Sequence, residues 1–235
     1  MRAGWPGKGR SEEGPAQLFT RHLREALSAP GCPICRLVRE SEEKWIWTLL
    51  YEFTGDPEVH GKFVASLGLC ATHAHLMKLV VEGRRLMTPS GVARLYESPV
   101  RSLLARLAGY PGRGKPRPDE CPLCKYARET AEREAYFLAS LLGEEGWRKA
   151  FEGSDGLCWP HFSLTLSQAH PELRKWLVDE YRRRLSGLLH RLSELQRKQR
   201  YDVSEPISRE EADSWREALW RLGGTVFEGL LVKDF

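Results

Sequence analysis

The stretch GCPICRLV, from Gly31 to Val38, returns as ECPLCKYA from Glu120 to Ala127. A second echo follows each copy, as SLGLCATH from Ser66 to His73 and as SDGLCWPH from Ser154 to His161. These four fragments contain all 6 cysteines of the chain. A duplication of this kind predicts two similar units, each of about eighty residues, that share apolar surface neither could cover alone.

The composition limits the classes of protein to which the chain can belong. Its 235 residues are 41% hydrophobic and 29% charged, which is typical of a globular protein with a sizeable core. No apolar run approaches the roughly 18 residues needed to span a bilayer, and Met1 to Pro15 lacks the apolar centre of a secretory signal. We therefore expect a cytoplasmic protein with no membrane partner. Reducing conditions there favour metal ligands or redox centres over disulfides.

The spacing of apolar residues predicts an all-α fold, because it follows the helical period and no clear period-2 run appears. Only Gly224 to Val232 could form a short extended piece. The predicted helices are Gln17–Ser28, Arg36–Phe53, Pro57–Leu67, Cys70–Val81, Ser90–Ala108, the stretch from the second cysteine pair to Leu142, Glu144–Phe151, Cys158–Gln168, Pro171–Gln199 and Arg209–Leu222.

Proline and glycine divide the predicted helices into two tandem repeats, each with its own metal site, followed by C-terminal helices. The predicted units are a disordered N terminus (1–15), a first metal-binding repeat (16–110), a linker rich in Pro, Gly and Arg (111–119), a second metal-binding repeat (120–200), and a C-terminal helix and tail (201–235).

The cysteine motifs predict metal sites, since each unit offers three thiolates and one imidazole. Two cysteines separated by two residues can turn toward one ion, and a Cys and His three apart on a first helical turn share a face. The duplicated order favours local sets, although an exchange that pairs the first cysteine pair with the second Cys-x-x-His stays open. The candidate ligands are Cys32, Cys35, Cys70 and His73 in the first repeat and Cys121, Cys124, Cys158 and His161 in the second.

Zinc is the favoured metal, with two ions per chain, because closed Cys₃His sites are commonest for zinc. An iron–sulfur cluster or a thiol-redox centre on the same ligands is the alternative. Four protein ligands leave no position for water, so we expect no catalytic residues and a protein that is not an enzyme. His60, His75, His170 and His190 are expected not to be ligands, and Glu42, Glu43, Glu144 and Glu145 to lie on solvated helix faces.

Two segments rich in arginine, Pro111–Pro118 and Arg182–Arg200, carry much of the basic charge. They could meet nucleic-acid phosphates or an acidic protein partner. A structural alternative packs the leucine stripe of the last long helix on the body or on a second subunit, which allows a homo-oligomer. Aromatic residues at helical spacing are expected in the core rather than stacked on bases, namely Trp45, Trp47, Tyr136 and Phe137.

The paired Cys-Pro-x-Cys and Gly-Leu-Cys-x-x-His motifs resemble a bacterial family of uncharacterised proteins, a domain of unknown function. The resemblance spans Gly31 to Ala169 and covers all eight candidate ligands. It implies the metal-binding motif and no particular activity, so the role has to be argued from the residues.

Overall fold

A computed structural model describes residues 15–83, 88–108 and 118–232. Residues 1–14 of the segment predicted to be disordered and residues 111–117 of the predicted linker lie outside these ranges, whereas Pro15 begins the first helix. Within them the fold is all-α, with no strand, which confirms the predicted class. The described helices are α1 (Pro15–Ser28), α2 (Pro33–Glu52), α3 (Pro57–Ser66), α4 (Ala71–Gly83), α5 (Pro89–Leu107), α6 (Pro122–Leu141), α7 (Glu145–Glu152), α8 (Trp159–Gln168), α9 (Pro171–Lys198) and α10 (Arg209–Gly223).

Proline marks the start of many of these helices because its fixed φ suits the first turn, where its missing N–H costs nothing. Pro33, Pro57 and Pro122 all occupy the first turn. Asp56 caps α3 by accepting hydrogen bonds from the backbone N–H groups of Glu58 and Val59 at 2.8 and 3.0 Å. The helix boundaries therefore follow local signals and agree with the sequence within a few residues.

Helices α2 and α6 pack against each other at the centre of the molecule. Residues near the N terminus of α2, such as Ile34, share an apolar core with Leu138 and Leu142 near the C terminus of α6. At the opposite end, Leu49 of α2 shares a second core with Leu123 of α6. The two helices are therefore antiparallel, and each end of the pair has its own core.

The C-terminal part of the chain closes over this centre. Helix α10 packs on α9 and α8, and the segment that follows it crosses α2 without forming a strand. Buried Glu43 of α2 accepts hydrogen bonds from the N–H groups of Leu231 and Val232 at 2.8 and 2.9 Å and pairs with Arg39 at 3.2 Å. The prediction that Glu43 lies on a solvated face is therefore wrong, because its carboxylate is buried and binds backbone N–H groups of the C-terminal segment.

Helix α9 uses its leucine stripe mainly for packing within the chain. Leu173, Leu177 and Leu188 are buried, while Leu189 is 66% exposed. The prediction of a core position is wrong for Tyr136 and Phe137, which are 56% and 37% exposed on the outer side of α6. None of the described helices combines the length and the apolar character needed to cross a membrane.

Candidate metal centres

Each of the four cysteine motifs lies at the start of a helix. Cys32, Cys121 and Cys158 occupy the cap positions of α2, α6 and α8, and Cys70 directly precedes α4. The carbonyl of each of these cysteines accepts the first hydrogen bond of its helix. The second ligand of every motif follows three residues later, on the first turn. All the candidate ligands thus lie at the N termini of four helices, whose partial positive charge favours thiolates.

The structure gathers the eight candidate ligands into two groups, each with three sulfurs and one imidazole. In the group that we call the Cys32 site, the ligand atoms come from Cys32, Cys35, Cys158 and His161. Nδ1 of His161 lies 3.5, 3.3 and 3.2 Å from the sulfurs of Cys32, Cys35 and Cys158. The sulfurs of Cys35 and Cys158 are 3.7 Å apart.

The Cys70 site has the same composition and a matching geometry, with ligands Cys70, His73, Cys121 and Cys124. Nδ1 of His73 lies 3.3, 3.5 and 3.4 Å from the sulfurs of Cys70, Cys121 and Cys124. The sulfurs of Cys70 and Cys124 are 3.6 Å apart. In both groups all four ligand atoms lie within 4.8 Å of one another.

The pairing differs from the local sets that the sequence favoured. Cys32 and Cys35 meet Cys158 and His161 from the other half of the chain. The favoured pairing, with Cys70 and His73 closing the first site, is therefore wrong, and the exchanged arrangement is the one present.

The lengths and directions of the helices explain the exchange. Helix α2 has 20 residues, so it carries the chain about 30 Å away from Cys32 and Cys35. Helix α3 has 10 residues and can recover at most about half of that distance before Cys70. Because α2 and α6 are antiparallel, the cysteine pair near that far end belongs to α6. The four ligands of a local set would therefore be separated by the length of a helix, whereas the four ligands of an exchanged set lie together at one end of the α2–α6 pair.

The donor atoms fit a single tetrahedral ion. An ion with sulfur at about 2.3 Å and nitrogen at about 2.0 Å separates two sulfurs by about 3.8 Å and a sulfur from a nitrogen by about 3.5 Å. The recorded sulfur–sulfur distances of 3.6 and 3.7 Å and sulfur–nitrogen distances of 3.2 to 3.5 Å are close to these values. All 6 cysteines lie in the described residues and all are free thiols, so each is available as a ligand.

The thiols of the Cys32 site differ in acidity. Burial opposes ionisation of Cys32, but hydrogen bonds with Cys158, Cys35 and His161 outweigh it and hold its pKa well below the usual value. The hydrogen bond with Cys158, the one with Cys32 and burial all raise the pKa of Cys35. Burial lowers the pKa of His161, yet its thiol partners raise it to about 9. His161 therefore holds a proton at neutral pH, which an ion that binds here must displace.

The Cys70 site shows a similar division. Burial, together with neighbouring Cys70 and Cys121, raises the pKa of Cys124 to about 12. The pKa of Cys70 is lowered, because hydrogen bonds overcome the effect of burial. The pKa of His73 is raised, since hydrogen bonds with Glu42 and Cys121 exceed the opposing effect of burial. An ion that binds here must displace the proton that Cys124 holds at neutral pH.

Each site also has a polar contact outside the ligand set. Nε2 of His73 donates a hydrogen bond to Oε1 of Glu42 at 3.0 Å, which leaves Nδ1 free to bind an ion. At the Cys32 site, the N–H of Thr225 donates to the sulfur of Cys35 at 3.4 Å, and Oγ1 of Thr225 accepts from the N–H of Cys32 at 2.9 Å. The C-terminal segment is thereby attached directly to one site.

Sequence reasoning missed both of these contacts. Glu42 was expected on a solvated face, but only 12% of its side chain is exposed. A signal was available, since Glu42 lies three residues before Trp45 on the same helix face as buried residues of α2. No sequence signal links Thr225 to a cysteine 190 positions away.

The remaining histidines stay outside both groups. His75 is exposed, and His170 caps α9 by accepting from the N–H of Leu173 at 3.4 Å. His60 contacts the carbonyl of Thr54 at 3.0 Å. Their positions agree with the expectation that they are not ligands.

Comparisons with protein-family models, curated proteins and solved structures returned no match for this chain. The resemblance of its motifs to a bacterial family therefore stays a prediction.

Proposed function

We propose that this protein binds two zinc ions as structural elements and acts, without catalysis, as a module for interaction with another protein. The observation that carries the proposal is the exchanged pairing of the two Cys₃His groups, each with all donor atoms within 4.8 Å. Each ion would join one half of the chain to the other. A structural zinc site contributes a folding free energy on the order of 10 kcal/mol, so two such ions would stabilise the helical body.

The donor set supports zinc over an iron–sulfur cluster. A cluster distributes its thiolates over different irons, so its ligand atoms stand further apart than those around one ion. Sulfur–sulfur distances of 3.6 and 3.7 Å suit a single ion. The second candidate function is a thiol-redox protein. It is favoured by the closeness of thiols from opposite halves of the chain, Cys35 to Cys158 and Cys70 to Cys124, which could form disulfides. A reducing compartment such as the cytoplasm would keep the thiols available for a metal.

The absence of an open ligand position supports a structural role. Catalytic zinc generally keeps three protein ligands and one water, whereas each group here offers four protein ligands. The zinc ions would therefore hold the fold rather than activate water.

The salt bridges favour a protein partner over nucleic acid. In α9, Arg184 pairs with Glu180 at 2.7 Å, Lys198 with Glu211 at 2.8 Å, and Arg197 with two glutamates at 2.6 Å. These cations already neutralise acidic groups of the same chain and are less available to phosphates. The basic residues of the other segment rich in arginine, Arg113, Lys115 and Arg117, lie outside the described residues.

Elemental analysis of protein purified without oxygen tests the proposal. We expect two zinc ions per chain, no iron and no labile sulfide. A brown protein that absorbs at about 400 nm would contradict zinc and indicate an iron–sulfur cluster. Metal-free protein with cysteines joined in disulfides would support the redox candidate instead. Binding to nucleic acid whose affinity falls steeply between about 50 and 200 mM salt would overturn the preference for a protein partner.

A further inference from the structure

The C-terminal half of α5 leaves an apolar stripe in solvent. Val100, Leu103, Leu104 and Leu107 are 55, 38, 63 and 56% exposed. Their spacing of i, i+3, i+4 and i+7 places them on one side of the helix. A surface helix normally turns such a stripe toward a core, and a contiguous exposed stripe marks an interaction site.

The stripe continues toward the start of α5 as a shallow groove. The groove is lined by Ala93, Tyr96, Glu97, Val100, Arg101 and Leu104. Arg101 donates to Oε1 of Glu97 at 2.6 Å, and these two side chains are 78% and 66% exposed along one edge of the groove. An apolar floor with one acidic and one basic group on the same edge is thus available for a partner.

The segments of this chain outside the described residues lack the apolar pattern needed to cover the stripe. Residues 1–14 read MRAGWPGKGRSEEG and residues 109–117 read GYPGRGKPR. Neither sequence has apolar residues at helical spacing over two turns. Residues 84–87 and 233–235 are too short.

We propose that the occupant is α5 of a second copy of this chain, in an antiparallel pair with a two-fold axis near Val100. The order of residues in α5 is self-complementary about that point. Leu104 of one copy would face Tyr96 of the second copy, and Leu107 would face Ala93. Glu97 would lie beside Arg101 of the second copy, with the reciprocal pair across the axis. A two-fold interface requires such matching of a surface with itself.

The pair buries one helix face from each copy, so the area is at the low end for a specific interface. The dimer is accordingly reversible and depends on protein concentration.

Sedimentation velocity of the zinc-loaded full-length chain, from low micromolar to several hundred micromolar, tests the pair. We expect a shift from monomer to dimer in the wild type. Leu104→Glu should weaken the dimer on the order of tenfold or more, because it places a charge in the apolar contact. Ala105→Glu is the matched control, because Ala105 is exposed about 100° around α5 from Leu104, outside the apolar stripe, and it should leave the dimer intact. Leu104 and Ala105 are both exposed, so helicity and zinc content should stay unchanged in both variants.

An exchange of charge tests the direction of the pair. Glu97→Arg alone and Arg101→Glu alone should each weaken self-association, since each brings like charges together. A mixture of the two variants should form heterodimers in which both cross pairs are again opposite in charge. A parallel pair would already bring like charges together in the wild type.

Three results would overturn the proposal. The first is a wild type that stays monomeric throughout the concentration range. The second is a dimer that tolerates Leu104→Glu but is lost with Leu219→Glu on the exposed side of α10. The third is a mixture of charge variants no more associated than either variant alone.

Discussion

The exchange of ligands between the two halves predicts how pairs of cysteine substitutions combine. Cys35→Ser with Cys158→Ser removes two ligands from one site and leaves the other intact. Cys35→Ser with Cys70→Ser removes one ligand from each site. Local sets would reverse these two outcomes, so the two double variants discriminate between the pairings with the same number and type of substitutions.

The magnitude follows from the ligand count. A structural zinc site stabilises its fold by about 10 to 16 kcal/mol over four ligands, so one thiolate accounts for about 3 kcal/mol, on the order of 100-fold in affinity. The Cys35/Cys158 variant should lose one ion almost completely, by a factor on the order of 10⁴, and keep the second at wild-type affinity. The Cys35/Cys70 variant should hold both ions on the order of 100-fold more weakly.

Competition with a chromophoric chelator, applied to the folded fraction from gel filtration, measures both affinity and stoichiometry. His75→Ala is the control, because His75 is exposed close to the Cys70 site and is not a ligand, so both ions should stay. If the Cys35/Cys158 variant weakened both ions and the Cys35/Cys70 variant kept one intact, the exchanged pairing would be refuted.

Three further predictions concern single groups. Glu42→Ala should reduce the affinity of the Cys70 site for zinc by about 10- to 100-fold and leave the Cys32 site unchanged, because the hydrogen bond to His73 orients the ring. Zinc affinity of the Cys70 site, followed by competition, should fall about tenfold for each pH unit between about pH 8 and pH 6, because the Cys124 thiol with a pKa of about 12 must lose its proton to bind. Arg184→Ala should destabilise the protein by about 2 kcal/mol, seen as a fall in Tm of about 4–8 °C, because the guanidinium donates to two carbonyls in the last turn of α7 and to that of Ser154 beyond it, at 2.7 to 3.1 Å.

Matched controls accompany these tests. Glu52→Ala, at an exposed position of α2, should leave the zinc affinities of both sites unchanged. If Glu52→Ala reduced zinc affinity as much as Glu42→Ala does, the role of Glu42 would be contradicted. A zinc affinity independent of pH would show that the thiols are already ionised. Arg182→Ala changes an exposed arginine two positions from Arg184, and an equal fall in Tm would remove the significance of the carbonyl contacts.

Most of the secondary structure was accessible from the sequence because its causes are local. Proline and capping residues start the helices, glycine ends several of them, and the helical period orders the apolar residues between. The aromatic positions were less accessible. Tyr136 and Phe137 are apolar at helical spacing, yet both are exposed, because α2 and α8 pack against other sides of α6.

The sequence by itself determined the eight candidate ligands, since the identity and spacing of cysteine and histidine are properties of the motifs. The spacing also determined that both ligands of a motif act together, because three residues make one helical turn. Which motifs share an ion was decided only by the tertiary structure. The antiparallel packing of α2 and α6 separates the two motifs of each half by a helix length and brings motifs of different halves together. The packing of α2 on α4 gives His73 its carboxylate, and the segment after α10 gives Cys35 its contact with Thr225. Both contacts join distant segments, so they depend on how the chain packs rather than on local chemistry.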